Sequence, residues 1–182
     1  MRRSHPLPKI WLMTDARFGV DQLRAIQQLP ARSGVVFRHY ELATQQRRAL
    51  FAQVLRICRR RGHIVLLAGD ARTALRWHAD GFHQRSRGQT KLLHSASVHN
   101  AREIADVKRC SPDLLFLSPL FATNSHPGAR PLGPLMFQRL AKLAEPKRVI
   151  ALGGMSRQSA QMLGPGTIHG WAAIDAFRKK TA

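Results

Sequence analysis

Short apolar runs and amphipathic segments alternate from one end of this 182-residue chain to the other, and few folds accept such a pattern. The runs KIWLMTD (to Asp15), VVFRHY (to Tyr40), HIVLLAGD (to Asp70), DGFH (to His83), LLHSASV (to Val98), DLLFLSPLF (to Phe121), RVIALGG (to Gly154) and IHGWAAI (to Ile174) read as eight strands. Between them lie segments with apolar residues at helical spacing, most clearly residues 45–61, where Leu50, Phe51, Val54, Leu55 and Cys58 fall on one face. The others are residues 20–29, 71–79, 101–110, 134–144 and 156–163. Eight strands separated by crossovers imply a parallel sheet closed into a compact (βα)8 TIM barrel. Such barrels usually take about 200 residues or more, so the helices here must be short, and residues 84–91 stand in for a full helix. No linker divides the chain, which therefore reads as one domain over residues 1–182.

Charge adds a second constraint. Thirty Lys and Arg against ten Asp and Glu give a formal +20, enough to attract any polyanion whatever the fold. The arginines cluster at Arg47, Arg48, Arg56, Arg59, Arg60 and Arg61, with Arg178, Lys179 and Lys180 near the end. No nucleic-acid-binding motif accompanies them, and Tyr40 is the only tyrosine, so they read as a solvated helix face with nucleic acid as a non-specific partner only. The hydrophobic share of 44% supports a real core. No stretch approaches the roughly 20 apolar residues of a membrane span, and the start lacks a cleavable leader, which points to the cytoplasm. Cys58 and Cys110 lack the number for a disulfide framework and the paired spacing of a zinc site, and read as reduced thiols.

Candidate site residues gather at the strand ends. Alternation puts Val36, Arg38 and Tyr40 on one face of the second strand and Phe37 and His39 on the other. Arg38 then enters the barrel mouth, where it needs an anionic partner: a ligand, Asp15 or Asp70. Asp70 stands where barrel enzymes place acids and metal ligands, and equally where an aspartate caps the following helix. Gly153 and Gly154, after the seventh strand, occupy the usual phosphate-binding place of such barrels. The loop of residues 123–133 sits at the same face. His83, His94, His99 and His126 lie near strand ends without metal-ligand spacing, and read as satisfied histidines.

Taken in order, KIWLMTD, VVFRHYE, LLAGDARTALRWHADGFH, SASVHNAREI, DLLFLSPLFATNSHPGARPLG, VIALGGMS and GWAAIDAF resemble thiamine phosphate synthase and its close relative, the thiazole tautomerase, over nearly the whole chain. The resemblance implies a barrel that joins a pyrimidine diphosphate to a thiazole phosphate and releases pyrophosphate. It assigns Arg38 and Ser97, with His126 in the place of a lysine, to the chemistry. Thr123, Ser125, Gly153, Gly154 and Ile174 fall to phosphate and thiazole contacts, and Asp70 to magnesium. The departures are as informative. Val36 and Tyr40 replace a glutamine and a lysine, and Gly69 an asparagine. Where a second magnesium aspartate is expected the chain reads HQRSRG, so Arg85 and Arg87 are expected to meet the diphosphate and magnesium to bind weakly or only with substrate. Asp175 replaces a small hydroxyl residue, where it would repel phosphate or cap the last helix. The alternatives are a tautomerase, which needs no metal but has Pro119 in place of its histidine, and a non-catalytic phosphate-ligand binder. A basic polyanion-binding protein is the reading from another class.

Overall fold

A computed structural model describes residues 6–86, 91–125, 128–164 and 166–178. Arg87, His126, Lys179 and Lys180 lie outside the described residues. Eight strands, β1 (Ile10–Met13), β2 (Gly34–Phe37), β3 (Ile64–Ala68), β4 (Gly81–His83), β5 (Leu93–Val98), β6 (Leu114–Leu117), β7 (Arg148–Ala151) and β8 (Gly170–Ala173), pair in parallel around a closed barrel. The ring closes where Ile10, Trp11 and Leu12 of β1 meet Trp171, Ala172 and Ala173 of β8. Six helices fill the crossovers: α1 (Gln22–Gln28), α2 (Thr44–Arg61), α3 (Ala71–Arg76), α4 (Ala101–Lys108), α5 (Gly133–Ala144) and α6 (Arg157–Gln161).

The short chain closes the barrel by trimming its outer layer. The α3 and α6 helices are six and five residues long, and β8 is followed by only a 3-10 turn, Asp175–Phe177. Residues 84–86 and 91–92, between β4 and β5, are not helical. The strands stop earlier than the apolar runs do. β2 ends at Phe37, which leaves Arg38 as the first residue past the strand, and β6 ends before Pro119, which cannot donate to a ladder.

The interior is filled from alternate strand positions. Trp11 is fully buried, its ring meeting Phe116 edge-on at 5.6 Å, and its indole N–H donates to Pro8 O at 2.9 Å. Gly34 makes room for that ring, since a Cβ there would lie 2.1 Å from it. Outward-facing Phe37 packs edge-on against Phe51 of α2, at 5.2 Å. The predicted face of α2 holds: Phe51, Val54 and Cys58 are buried, Leu50 and Leu55 partly so, while Arg56, Arg59, Arg60 and Arg61 are exposed. Gly62, in the left-handed conformation, ends that helix by donating to Arg59 O and Cys58 O. Among the described residues no helix is long and apolar enough to cross a membrane.

Candidate active site at the barrel mouth

The C-terminal ends of the strands surround a cavity of about 400 Å³. Arg38 after β2, Thr123 and Ser125 after β6, Gly153 and Gly154 after β7, and Ile174 and Asp175 after β8 all line it. Positions up to 137 residues apart in the chain thus converge as barrel closure requires. Val36 lies deeper, fully buried in the strand below Arg38.

Arg38 is held from three sides. Its backbone N–H donates to Thr14 Oγ1 at 2.9 Å, its Nε to Thr14 O at 2.7 Å, and its Nη2 pairs with Asp15 Oδ2 at 2.6 Å. Of the two carboxylates the sequence offered it, Asp15 is therefore the partner. Burial pulls the Arg38 guanidinium below its ordinary pKa while Asp15 opposes, and a guanidinium remains charged throughout. Asp15 also caps the 3-10 turn Ala16–Asp21 and takes Arg17 Nε on its other oxygen at 2.7 Å. Burial alone would raise the Asp15 pKa, but the hydrogen bonds from Arg17 and the charge of Arg38 outweigh it and hold the carboxyl below its usual range.

Arg17 is the residue that sequence reasoning missed. Its Nη2 donates to Ser125 Oγ at 2.7 Å and its Nη1 pairs with Asp175 Oδ1 at 3.2 Å, so one side chain ties the ends of β1, β6 and β8 together. The local signal was an Asp-x-Arg at a strand end; the reach of 108 residues to Ser125 was invisible before closure. Asp175 is corrected on one point. It does not cap the last turn, whose capping position is Ile174, but pairs with Arg17 and with Arg178 at 3.4 Å. Its charge is thereby offset at the mouth rather than left to repel an anion.

Gly153 and Gly154 have φ of +93° and +61°, a region side chains resist, and a Cβ would lie 2.7 Å from Pro119 Cα or 2.5 Å from Ala122 O. The β7 turn and the β6 loop therefore touch backbone to backbone. Ser97, near the end of β5, is not among the residues that line the cavity; its hydroxyl lies 2.9 Å from His83 Nε2, while His83 Nδ1 lies 2.8 Å from Ser95 Oγ. His83 is satisfied as expected; burial, with Arg38 and His94 nearby, pushes its pKa down to about 3, so it stays neutral.

The remaining candidates sit elsewhere. Arg85 is exposed but engaged by the protein's own groups: its Nε donates to Ser97 O at 2.8 Å and its Nη2 pairs with Glu103, which also takes His99. Tyr40 is two-thirds exposed and lies over Arg47. Gly69 and Asp70 line a separate cleft with Arg47, Arg48 and Arg76.

Asp70 decides whether a magnesium ion fits. One oxygen accepts from Thr73 N–H and the other from Thr73 Oγ1, both at 2.8 Å, which makes it the cap of α3 and holds its pKa low. Among the described residues no group of three or more His, Cys, Asp or Glu could hold a metal, and Asp15 is already shared by two arginines. A lone capped carboxylate among three arginines does not fit a divalent cation.

Comparison with known proteins agrees with this architecture. The family described as thiamine monophosphate synthase matches residues 13–177. The chain is 24% identical to the thiamine-phosphate synthase of Lysinibacillus sphaericus (strain C3-41), covering 96% of this chain and 82% of that one. It is 27% identical to the thiamine-phosphate synthase of Geobacillus kaustophilus (strain HTA426), over 71% of this chain and 63% of that one. A thiamine phosphate pyrophosphorylase structure from Pyrococcus furiosus superposes with a TM-score of 0.77 at 18% identity, covering 92% of this chain and 86% of the other, and so bears on the fold alone.

Proposed function

The chain belongs to the thiamine monophosphate synthase family, and we propose that it couples hydroxymethylpyrimidine diphosphate to a thiazole phosphate, releasing pyrophosphate, in thiamine biosynthesis. One observation carries the reading: a guanidinium, two hydroxyls and a Gly-Gly turn of the expected identities share one cavity of about 400 Å³.

The chemistry asks little of the protein beyond placement and charge. The bond between the pyrimidine's methylene carbon and the diphosphate oxygen breaks, its electron pair leaving with oxygen. The carbon cation is then captured by the lone pair of the thiazole nitrogen, so one C–O bond is exchanged for one C–N bond and no proton moves. Arg38, held by Thr14 and Asp15, presents a fixed positive charge to the leaving group. Thr123, Ser125 and the N–H groups of Gly153 and Gly154 suit the thiazole phosphate. Ser97, which the resemblance gives to the pyrimidine, has its hydroxyl fixed by His83.

The tautomerase alternative is less well served, because Pro119 in the cavity wall carries no titratable group and His99 is paired with Glu103. The exposed arginines of α2 would bind polyanions only through charge. We also place the protein in the cytoplasm, since both substrates bear phosphates that cross a bilayer poorly.

Rescue of a bacterial strain lacking its own synthase tests the reading. Growth without added thiamine is expected from this protein, and Arg38→Ala should abolish it, losing on the order of 10²- to 10³-fold in turnover as a removed charge-stabilising donor typically does. Rescue by Arg38→Ala at full rate, or none by the native protein, would overturn it.

A further inference from the structure

Beside the mouth, between the start of α2, the end of β3 and α3, lies a second cleft of about 620 Å³. Its polar walls are Thr44, Arg47, Arg48, Asp70, Thr73 and Arg76. Three guanidiniums face one carboxylate there, and that carboxylate has given both oxygens to Thr73. Among the described residues, Arg47, Arg48 and Arg76 form no ion pair. Three guanidiniums against one carboxylate leave a net excess of positive charge in the cleft, which calls for an anion that supplies more than one charge.

Arg47 makes this more than a loose surface patch. Its Nε donates to Arg38 O at 2.7 Å and its Nη2 to Ala68 O at 2.6 Å. Phe37, Tyr40 and Trp77 surround its guanidinium at 5.8, 5.2 and 5.7 Å from their ring centres. Of the five N–H donors of an arginine, the two pointing at carbonyls are used, and Nη1 keeps its pair for a ligand. The same contact joins the cleft to the mouth, because the carbonyl that Arg47 grips belongs to Arg38. Arg76 is oriented more lightly, its Nη2 donating to Thr73 Oγ1 at 3.2 Å.

We infer that Arg47, Arg48 and Arg76 form a metal-independent diphosphate site, in which guanidiniums neutralise the anion that a divalent cation would otherwise share. Planar forks meet phosphate oxygens in pairs, so three of them satisfy a diphosphate without a bridging ion. That the anion is the far end of the pyrimidine diphosphate whose near end meets Arg38 in the mouth rests on the synthase reading; the anion class rests on the cleft alone.

The test is calorimetric titration of the full-length protein with inorganic pyrophosphate in EDTA at fixed ionic strength, repeated with added magnesium. Binding in EDTA is expected, changed by less than about twofold by magnesium, with inorganic phosphate at least tenfold weaker. The double variant Arg48→Ala, Arg76→Ala should weaken pyrophosphate at least tenfold while melting at the native temperature. Single Arg48→Lys and Arg76→Lys changes, which keep charge but lose the fork, should each weaken it by a smaller factor. Binding that appears only with magnesium, or that the double variant leaves intact, overturns the inference. So does equal binding of sulfate or duplex RNA that vanishes with salt, which would be charge without a site. If rescue of the synthase-deficient strain fails while pyrophosphate still binds in EDTA through these arginines, the synthase reading falls and this site stands. Rescue that collapses under magnesium depletion, with the double variant fully active, has the opposite meaning.

Discussion

Two cavities share the C-terminal face of this barrel, and they treat their arginines in opposite ways. In the mouth, Arg38 and Arg17 divide the two oxygens of Asp15, and Arg17 takes Asp175 as well. In the neighbouring cleft, Arg47, Arg48 and Arg76 form no ion pair among the described residues, and the one carboxylate of the cleft is hydrogen-bonded to Thr73. Both regions belong to a chain of formal charge +20, so net charge does not distinguish them. Pairing does. Paired arginines build the site's shape, and unpaired ones remain available to a ligand. Substitutions in the mouth should therefore move stability, and substitutions in the cleft should move affinity.

The largest effect on stability is expected from Asp15→Asn, which keeps the side-chain shape and removes the charge between two guanidiniums. Both partners of the Arg38 pair are about one-fifth exposed, so the loss is discounted from that of a fully buried pair to about 2 kcal/mol at pH 7. The pH dependence sharpens the point. The carboxyl's folded pKa lies below its ordinary 3.8, so its contribution is present above that value and is lost as pH falls through the folded one. The gap between native and variant urea midpoints should be constant from pH 7 to 5 and shrink below about 3.8. A gap that persists unchanged to pH 2 would mean that Asp15 acts by shape and not by charge.

Next in size is Gly154→Ala. A side chain at φ +61°, 2.5 Å from Ala122 O, must push the β6 loop that carries Thr123 and Ser125. A cost of about 1–3 kcal/mol is expected for the strained conformation, together with a KM for the thiazole phosphate raised more than for the pyrimidine diphosphate. Equal changes in both constants would show that the two glycines do not favour one substrate. Arg17→Ala follows, at about 1 kcal/mol, because its pairs are roughly one-third exposed. That variant should also loosen Ser125, which limited proteolysis of the loop at residues 123–133 would register.

The barrel itself was legible because a buried parallel strand is written as a continuous apolar run, and each of the eight runs coincides with an observed strand, β2 alone starting one residue earlier, at Gly34. Their ends were not, since Arg38 to Tyr40 extend the apolar pattern of β2 without any ladder partner for it to continue along. The residues of the mouth were legible as individuals: Arg38, Thr123, Gly154 and Ile174 do share a cavity. What could not be read was who neutralises whom. Arg17 lies 108 residues from Ser125 and 158 from Asp175, distances that only ring closure removes. The same holds for Arg85, expected to face a diphosphate and instead taken by Glu103 of α4. Asp70 shows the converse: a local pattern, Asp before ARTALR, sufficed to announce a helix cap, and the cap is what forms.

The smallest expected effect on stability belongs to the cleft, and it is the one that separates the two regions most sharply. Arg48 and Arg76 are exposed and form no ion pair among the described residues, and the hydrogen bond of Arg76 to Thr73 is solvent-exposed. Removing both should change unfolding free energy by less than about 0.5 kcal/mol, the usual range for surface positions, and could raise it slightly by relieving mutual repulsion. Repulsion of this kind is screened within about 10 Å at 0.1 M salt, so any gain should be larger in dilute buffer and fade as salt is added. A loss of 1 kcal/mol or more would mean that these side chains hold α2 against α3, as Arg47 holds α2 to β2 and β3, and that the contrast between a mouth of paired arginines and a cleft of unpaired ones is drawn in the wrong place.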